Sequence, residues 1–133
     1  MKSLIKGSFA ILILLFVSGC SSSLVEGEWQ YDGGIYNGKA RNAATEFLMQ
    51  RTYKSSTYEA FLLEGQAEPE LYNSGTYEIK GDSILITSKF STQPSQNDNV
   101  RIGYKFKTEG DKLTTSGVLP NGMVVEEYWK KVN

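Results

Sequence analysis

The chain has 133 residues, which is enough for one small domain. It carries 14 basic and 15 acidic residues, so it lacks the basic excess typical of proteins that bind nucleic acid. It has no histidine and one cysteine, Cys20. These counts exclude His–Cys zinc sites, catalytic pairs with histidine and an internal disulfide. No phosphate-binding loop or nucleophile elbow is present either. We therefore expect no enzyme activity, no cofactor, no metal site and no nucleic-acid partner.

The N-terminal segment has the composition of an export signal. Lys2 and Lys6 precede an apolar run over 9–17, and small residues then lead to Cys20. The run is shorter than the roughly 20 residues of a membrane-spanning helix, and it suits a signal-peptide core of about 7 to 15 residues. An uncleaved membrane anchor is the alternative, and it leaves the small residues and the cysteine unexplained. Removal of residues 1–19 would leave 114 residues, with 12 basic and 15 acidic side chains.

The segment Val17-Ser18-Gly19-Cys20 resembles the lipobox of bacterial lipoproteins. The resemblance implies a signal peptide over 1–19, a lipidated tether over 20–24 and a folded domain over 25–133. It also implies that Cys20 carries several acyl chains, palmitate among them, and these chains anchor the protein in a membrane. Ser21 follows the cysteine in place of aspartate, which implies sorting to an outer membrane with the domain facing the periplasm. In a host without an outer membrane, the anchor would lie in the cell membrane.

The rest of the chain shows the alternation of apolar and polar residues that predicts β-strands. Glycine-containing turn signals at Gly81-Asp82, Gly110-Asp111 and Asn121-Gly122 predict hairpins, hence antiparallel neighbours. A short helix over 43–51 is an alternative for the second strand, because that stretch contains good helix formers. The eight predicted strands are Val25–Asp32, Ala44–Lys54, Tyr58–Leu63, Gly75–Lys80, Ser83–Ser91, Val100–Thr108, Lys112–Leu119 and Met123–Val132.

Eight short antiparallel strands can remove their exposed edges by closing into a barrel. We therefore predict an all-β fold, an eight-stranded antiparallel up-and-down barrel. Its longer loops would be Gly33–Asn42, Glu64–Ser74 and Thr92–Asn99. Period two predicts that Ile102, Tyr104 and Phe106 face inward on the sixth strand.

Three segments resemble lipocalins and their calycin relatives. Gly27-Glu28-Trp29 looks like the G-x-W opening of that group, and the segments 75–84 and 126–132 are similar to strands of small bacterial lipocalin-like lipoproteins. The resemblance implies a calycin-like barrel in which Trp29 plugs one end. Lys130 and Lys131 stand where the group has an arginine that packs across this tryptophan. Ser74-Gly75-Thr76-Tyr77 is also similar to, though one residue shorter than, a motif of exported lysozyme inhibitors.

An eight-stranded barrel can hold one small ligand or be filled by its own side chains. The ligand hypothesis assigns a mostly apolar wall with a few polar groups that orient the ligand. The polar groups would be Arg51 and Glu127. In the alternative, the aromatic residues pack the core and Arg51 lies at the rim of the barrel, exposed to water. The residues assigned to the wall are Phe47, Met49, Tyr53, Tyr104 and Phe106.

Two functions follow from these alternatives. The first is a membrane-anchored lipoprotein that binds a small hydrophobic or amphipathic molecule in its barrel. The second is a filled barrel that binds or inhibits another envelope protein through surface residues such as Tyr36, Tyr72 and the segment Thr92–Asn99. A cavity of some hundreds of cubic ångströms is expected for the first function alone.

Overall fold

The structure, a computed structural model, describes residues 24–132. The lipobox-like segment, Cys20 and most of the tether predicted over 20–24 therefore lie outside the described residues. Within them the chain is all-β, with no α-helix and no helix long and apolar enough to cross a membrane. The strands are β1 (Gly27–Tyr36), β2 (Lys39–Arg41), β3 (Leu48–Tyr53), β4 (Thr57–Leu63), β5 (Glu70–Lys80), β6 (Ser83–Ser91), β7 (Arg101–Glu109), β8 (Lys112–Val118) and β9 (Val124–Lys131).

The strands form a closed antiparallel barrel, which confirms the predicted fold. From β3 to β9 each strand pairs with the next along the chain, and β1 pairs with both β3 and β9. These pairings join β1 and β3–β9 into eight barrel strands without a free edge. The remaining strand, β2, has three residues, lies outside the barrel and pairs with the end of β1.

The predicted loop from Gly33 to Asn42 is wrong in its first half, because β1 continues through Gly33 and Gly34 to Tyr36. The pairing of β1 with β9 shifts between Tyr31 and Gly34, and Gly33 has a φ of 105°. The two glycines thus form an irregularity within a strand, although a Gly-Gly pair usually signals a turn. Beyond it, β1 leaves β3 and pairs with β2.

Two other strand boundaries differ from the prediction by more than two residues. β3 begins at Leu48 and not at Ala44, and residues 48–51 of the stretch with helix propensity pair with β1 and β4. Tertiary pairing therefore overrides its helix propensity. β5 begins at Glu70 and not at Gly75, and Ala60 pairs with Asn73 while Phe61 pairs with Leu71. This shift leaves Tyr72 as the extra residue of a bulge, a feature that alternation alone does not predict.

The barrel has two unlike ends. At the closed end, the short hairpin turns 54–56, 81–82 and 110–111 meet the start of β1 and the end of β9. At the open end lie the longer connections 42–47, 64–69, 92–100 and 119–123. The large buried side chains concentrate in the closed half. They are Val25, Trp29, Tyr53, Tyr58, Tyr77, Ile84, Leu113 and Trp129.

Trp29 lies in this core and is 1% exposed. Its Nε1 donates to the carbonyl of Val25 at 2.8 Å, so the residues before β1 are held against the closed end. The Lys131 Nζ lies 5.1 Å from the centre of the Trp29 ring, within the range of a cation–π contact. Lysine thus occupies the position over the tryptophan at which the lipocalin resemblance implied an arginine.

Strand β7 shows the inward and outward faces that its alternation predicted. Ile102, Tyr104 and Phe106 are half-buried, whereas the basic residues of the strand, Arg101, Lys105 and Lys107, are exposed. On the outer face, Arg101 pairs with Glu78 at 2.6 Å and Lys105 with Asp82 at 3.3 Å.

Candidate functional site

Arg51 is the centre of the candidate site, and strand pairing places it inside the barrel. Met49, Arg51 and Tyr53 occupy every second position of β3, so their side chains share one face, and that face points into the barrel. Across the β3–β4 pair, Met49 stands opposite Leu62, Arg51 opposite Ala60 and Tyr53 opposite Tyr58. Ala60 is fully buried and small. The long Arg51 side chain therefore has room to extend into the lumen.

The Arg51 guanidinium lies among aromatic rings. Its Cζ is 5.0 Å from the Trp129 ring centre and 5.1 Å from that of Tyr58. Its Nη1 donates to the Tyr53 hydroxyl across 3.3 Å. Its Nε is buried and has no hydrogen-bond partner. Among residues 24–132, no carboxylate forms a salt bridge with Arg51.

Three tyrosines near Arg51 keep their protons at neutral pH. Burial raises the pKa of the Tyr58 and Tyr72 hydroxyls, and it raises the pKa of Tyr104 to about 12, although the nearby guanidinium lowers all three. Burial is the largest single influence on the pKa of Arg51 and lowers it, but Tyr53, Tyr72 and Tyr58 together raise it by more, so the net shift is upward. The site thus presents a permanent cation among neutral hydroxyl groups.

Glu127 faces the same space from β9 and is held by tyrosines of β1. The Tyr36 hydroxyl donates to Glu127 Oε2 at 2.8 Å, and the hydroxyls of Tyr31 and Tyr36 are hydrogen-bonded to each other. A methyl group on Gly34 would lie 2.9 Å from the Tyr36 hydroxyl, so the glycine leaves room for this arrangement. Burial, then the bond to Tyr31 and the Glu127 charge, raises the pKa of Tyr36.

Three cavities occupy the open half of the barrel. The inner cavity has a volume of about 250 Å³, and Arg51, Tyr53, Tyr104 and Glu127 contribute to its lining. The mouth cavity has a volume of about 600 Å³, and it is lined by Arg51 and Glu127 together with Phe47, Met49, Tyr72 and Trp129. The loop cavity, of about 550 Å³, shares Phe47, Met49 and Tyr72 with the mouth cavity. The last two volumes lie within the range of about 300–1,000 Å³ usual for small-molecule sites.

Polar groups of the segment 92–99 and of β5 form one wall of the inner cavity. The segment 92–99, predicted as a loop, brings Ser95, Asn97 and Asp98 to this wall. Asn73 also lines the cavity, where its Oδ1 accepts from the Tyr58 hydroxyl at 2.8 Å and its Nδ2 donates to Ser88 Oγ at 2.7 Å. These bonds use the hydrogen-bonding groups of the Asn73 side chain. Compared with Asn73, Arg51 therefore keeps more N–H donors for a ligand.

Five of the six residues predicted to bind a ligand line these cavities. Phe47 and Met49 line the mouth and loop cavities, Tyr53 and Tyr104 line the inner cavity, and Arg51 lies between the inner and mouth cavities. Phe106 packs against the buried core and lines none of the three. It lies nearer the closed end of β7 than Tyr104 does, where side chains fill the interior, so the structure does not bring it together with the other five.

Tyr36 and Tyr72 line a cavity although they were not predicted to do so. The sequence placed both in loops as surface contacts for a protein partner, but they belong to β1 and β5 and line the mouth cavity. The position of Tyr36 was not predicted because of the irregularity at Gly33-Gly34, and that of Tyr72 because of the bulge in β5. Trp129 was also missed as a lining residue, although its spacing from Glu127 on β9 places both on one face.

No cluster of three or more His, Cys, Asp or Glu side chains within residues 24–132 is arranged to hold a metal ion. The charged side chains that line both the inner and the mouth cavity are Arg51 and Glu127. Arg41 also lines the mouth cavity, Asp98 the inner cavity and Glu70 the loop cavity, and hydroxyl and amide groups complete the polar lining. These groups are suited to hydrogen bonding with an organic molecule.

No protein-family model and no curated protein sequence matches the chain. Among solved structures, the chain is similar to one described as a redesigned beta barrel, with 14% identity and a TM-score of 0.52. The match covers 87% of this chain and 98% of the other. At this identity the likeness shows the β-barrel fold alone.

Proposed function

We propose that this protein is a lipid-anchored envelope lipoprotein that binds a small hydrophobic or amphipathic molecule in its barrel without chemically changing it. The observation that carries the proposal is the hollow open half, where apolar side chains and a buried arginine line cavities of ligand size. A filled barrel would have no such space. The packed closed half shows that this sequence can fill an interior, so the open half is not simply poor packing.

The proposed location depends on the N-terminal sequence. The lipobox-like segment supports lipidation of Cys20, and Ser21 supports an outer-membrane location facing the periplasm. Several acyl chains would give the firm anchoring that a single chain does not provide. Binding close to the membrane suits a protein that sequesters or carries an apolar molecule there.

The first test is mass spectrometry of small molecules released from the protein after purification from an envelope extract. We expect a stoichiometric apolar or amphipathic compound. Met49→Asp should lose it, because a carboxylate in the apolar wall is costly to desolvate beside a bound hydrocarbon. Leu48→Asp is the matched control, because Leu48 is the neighbouring residue on the outer face and is 41% exposed.

The result distinguishes the two functions. Loss of the compound in Met49→Asp alone would support a site inside the barrel, provided circular dichroism shows that both variants are folded. A clean, empty wild-type protein would overturn the proposal. Exposed apolar side chains on the outer face near the open end would then favour the second candidate, binding of an envelope protein. Leu48, Phe90, Val118 and Val124 are 41–58% exposed there.

A further inference from the structure

The largest unmet hydrogen-bonding demand in the barrel belongs to Arg51. A guanidinium has five N–H donors and no acceptor. The hydrogen-bonding partners of Arg51 are the hydroxyls of Tyr53, at a long 3.3 Å, and Tyr72, and Nε is the one buried side-chain nitrogen or oxygen among residues 24–132 without a partner. A buried charged donor without an acceptor is costly to the folded protein. A ligand that brings an acceptor would remove that cost.

The acceptor should be negatively charged, because no carboxylate among residues 24–132 forms a salt bridge with Arg51. Glu127 lines the same two cavities, yet it accepts the Tyr36 hydroxyl instead. Burial raises the pKa of Tyr58, Tyr72 and Tyr104, so these neighbouring hydroxyls add no negative charge at neutral pH. A cationic group placed beside Arg51 would be repelled, and a hydrocarbon would leave the guanidinium unpaired.

The apolar part of a ligand has a defined direction. From Arg51, the inward face of β3 continues to Met49, and Phe47 follows toward the open end. Trp129 and Tyr72 line the same cavity. The polar contact is therefore deep and the apolar wall lies nearer the opening.

We propose that the ligand is an acidic amphiphile whose anionic group binds Arg51 and whose apolar part lies along Met49 and Phe47 toward the open end. This inference rests on the proposed ligand-binding function and adds the charge and the orientation of the ligand. Carboxylates and phosphates both suit a guanidinium, since each accepts two parallel N–H bonds. A carboxylate is the simplest probe of that chemistry.

The test compares three probes that share one chain and differ in the head group: octanoate, octanol and octylamine. Each is titrated by calorimetry at pH 7.4 into the full chain held in lipid nanodiscs, with empty nanodiscs as the blank. We expect octanoate to bind at least tenfold more tightly than octanol and octylamine to bind most weakly. Tenfold corresponds to about 1.4 kcal/mol.

Variants of Arg51 and Glu127, the charged residues that line both the inner and the mouth cavity, sharpen the test. Arg51→Met should weaken octanoate at least tenfold and change octanol by less than about twofold. Glu127→Gln should strengthen octanoate by about two- to fivefold, because it removes a negative charge from the same cavity. Arg101→Met is the matched control, an arginine of the outer face, and should change neither probe. If Arg51→Met does not fold, Arg51→Lys and Glu127→Gln decide the outcome.

The failures of the two proposals are distinguishable. Equal binding of octanoate and octanol, or octanoate binding that neither Arg51→Met nor Glu127→Gln changes, would overturn the anionic head group and leave the ligand-binding function in place. Tightest binding of octylamine would overturn it too and would point to Glu127 as the recognition group. Binding of none of the three probes would overturn the ligand-binding function itself.

Discussion

At the scale of single residues, the lumen keeps its hydroxyl groups protonated by removing them from water. Tyr104 shows this most clearly, since burial raises its pKa to about 12 even though Arg51 acts in the opposite direction. A tyrosine in the unfolded chain ionises near pH 10. Protonated tyrosines can donate to a bound ligand, and they add no negative charge that would offset Arg51. The polarity of the site therefore depends on burial as much as on residue type.

The raised pKa of Tyr104 predicts a loss of stability in alkali. Between pH 10 and 12 the unfolded chain has released this proton and the folded protein still holds it. The free energy of unfolding should therefore fall as pH rises through this window, by up to about 1.4 kcal/mol per pH unit from this residue. Tyr104→Phe lacks that contribution and should fall less. Urea unfolding of both proteins at pH 9, 10, 11 and 12 measures the difference, and a difference that is constant with pH would contradict the prediction.

At the scale of strands, irregular positions shape the site. Gly75 lies where the β5–β6 pairing shifts register, between the pairs Ser74–Phe90 and Gly75–Ser88. A methyl group on Gly75 would overlap the backbone carbonyl of Thr87 and lie 3.0 Å from the Tyr58 ring. The strands can approach so closely only because this position has no side chain. Tyr58 lies against this glycine, donates to Asn73 Oδ1 at 2.8 Å and has the Arg51 guanidinium over its ring.

Gly75→Ala should therefore destabilise the protein by about 3 kcal/mol or more, the upper range for overpacking, because backbone atoms cannot move aside easily. Gly103→Ala is the matched control: its new methyl group would meet only the Cδ2 of Leu85, at 3.1 Å, a flexible side-chain end. It should cost less than about 1 kcal/mol. Denaturant unfolding of both variants measures the two values, and equal costs would show that the close strand contact is unimportant.

The same irregular positions mark the limit of prediction from sequence. The turns at Gly81, Gly110 and Gly122 and the alternation of β7 were enough to predict the hairpins, the barrel and the inward position of Tyr104. Alternation fails where a strand gains a residue, because the faces then exchange. Tyr36 and Tyr72 follow or form such irregularities, and so their place in the lumen was not foreseen. Whether Phe106 contacts the packed core or a cavity depends on how far the core extends along the barrel, and no local sequence pattern predicts that extent.

At the scale of the whole molecule, the barrel divides into a packed closed half and a hollow open half. Its large buried side chains concentrate near the end where the chain enters at Leu24 and Val25. The packing of that half stabilises the fold, and the open half keeps cavities and a buried arginine without a salt bridge. The packed core and the proposed binding site thus lie toward opposite ends of the same eight strands.

This polarity predicts how the protein sits on a membrane if Cys20 is lipidated. Three residues lie between Cys20 and Leu24, so the two are four residue steps apart, and four steps span at most about 14 Å. The closed end should therefore face the membrane and the open end should point away from it. Labels can be placed at Asp111→Cys in the closed-end turn and at Asn121→Cys in the open-end turn, positions separated by β8, which is about 20 Å long at 3.3 Å per residue.

Energy transfer from these labels to an acceptor on the lipid head groups should be stronger from position 111 than from position 121. Cys20→Ala in either labelled protein should abolish the transfer, because the anchor is lost. Equal transfer from both positions would show that the barrel lies on its side, and transfer that survives Cys20→Ala would show another anchor. The predicted orientation has a consequence for binding: an acidic amphiphile must reach Arg51 from the aqueous side of the barrel and cannot slide in directly from the anchoring membrane. The protein would then receive its ligand from water or from a partner that docks at the open end.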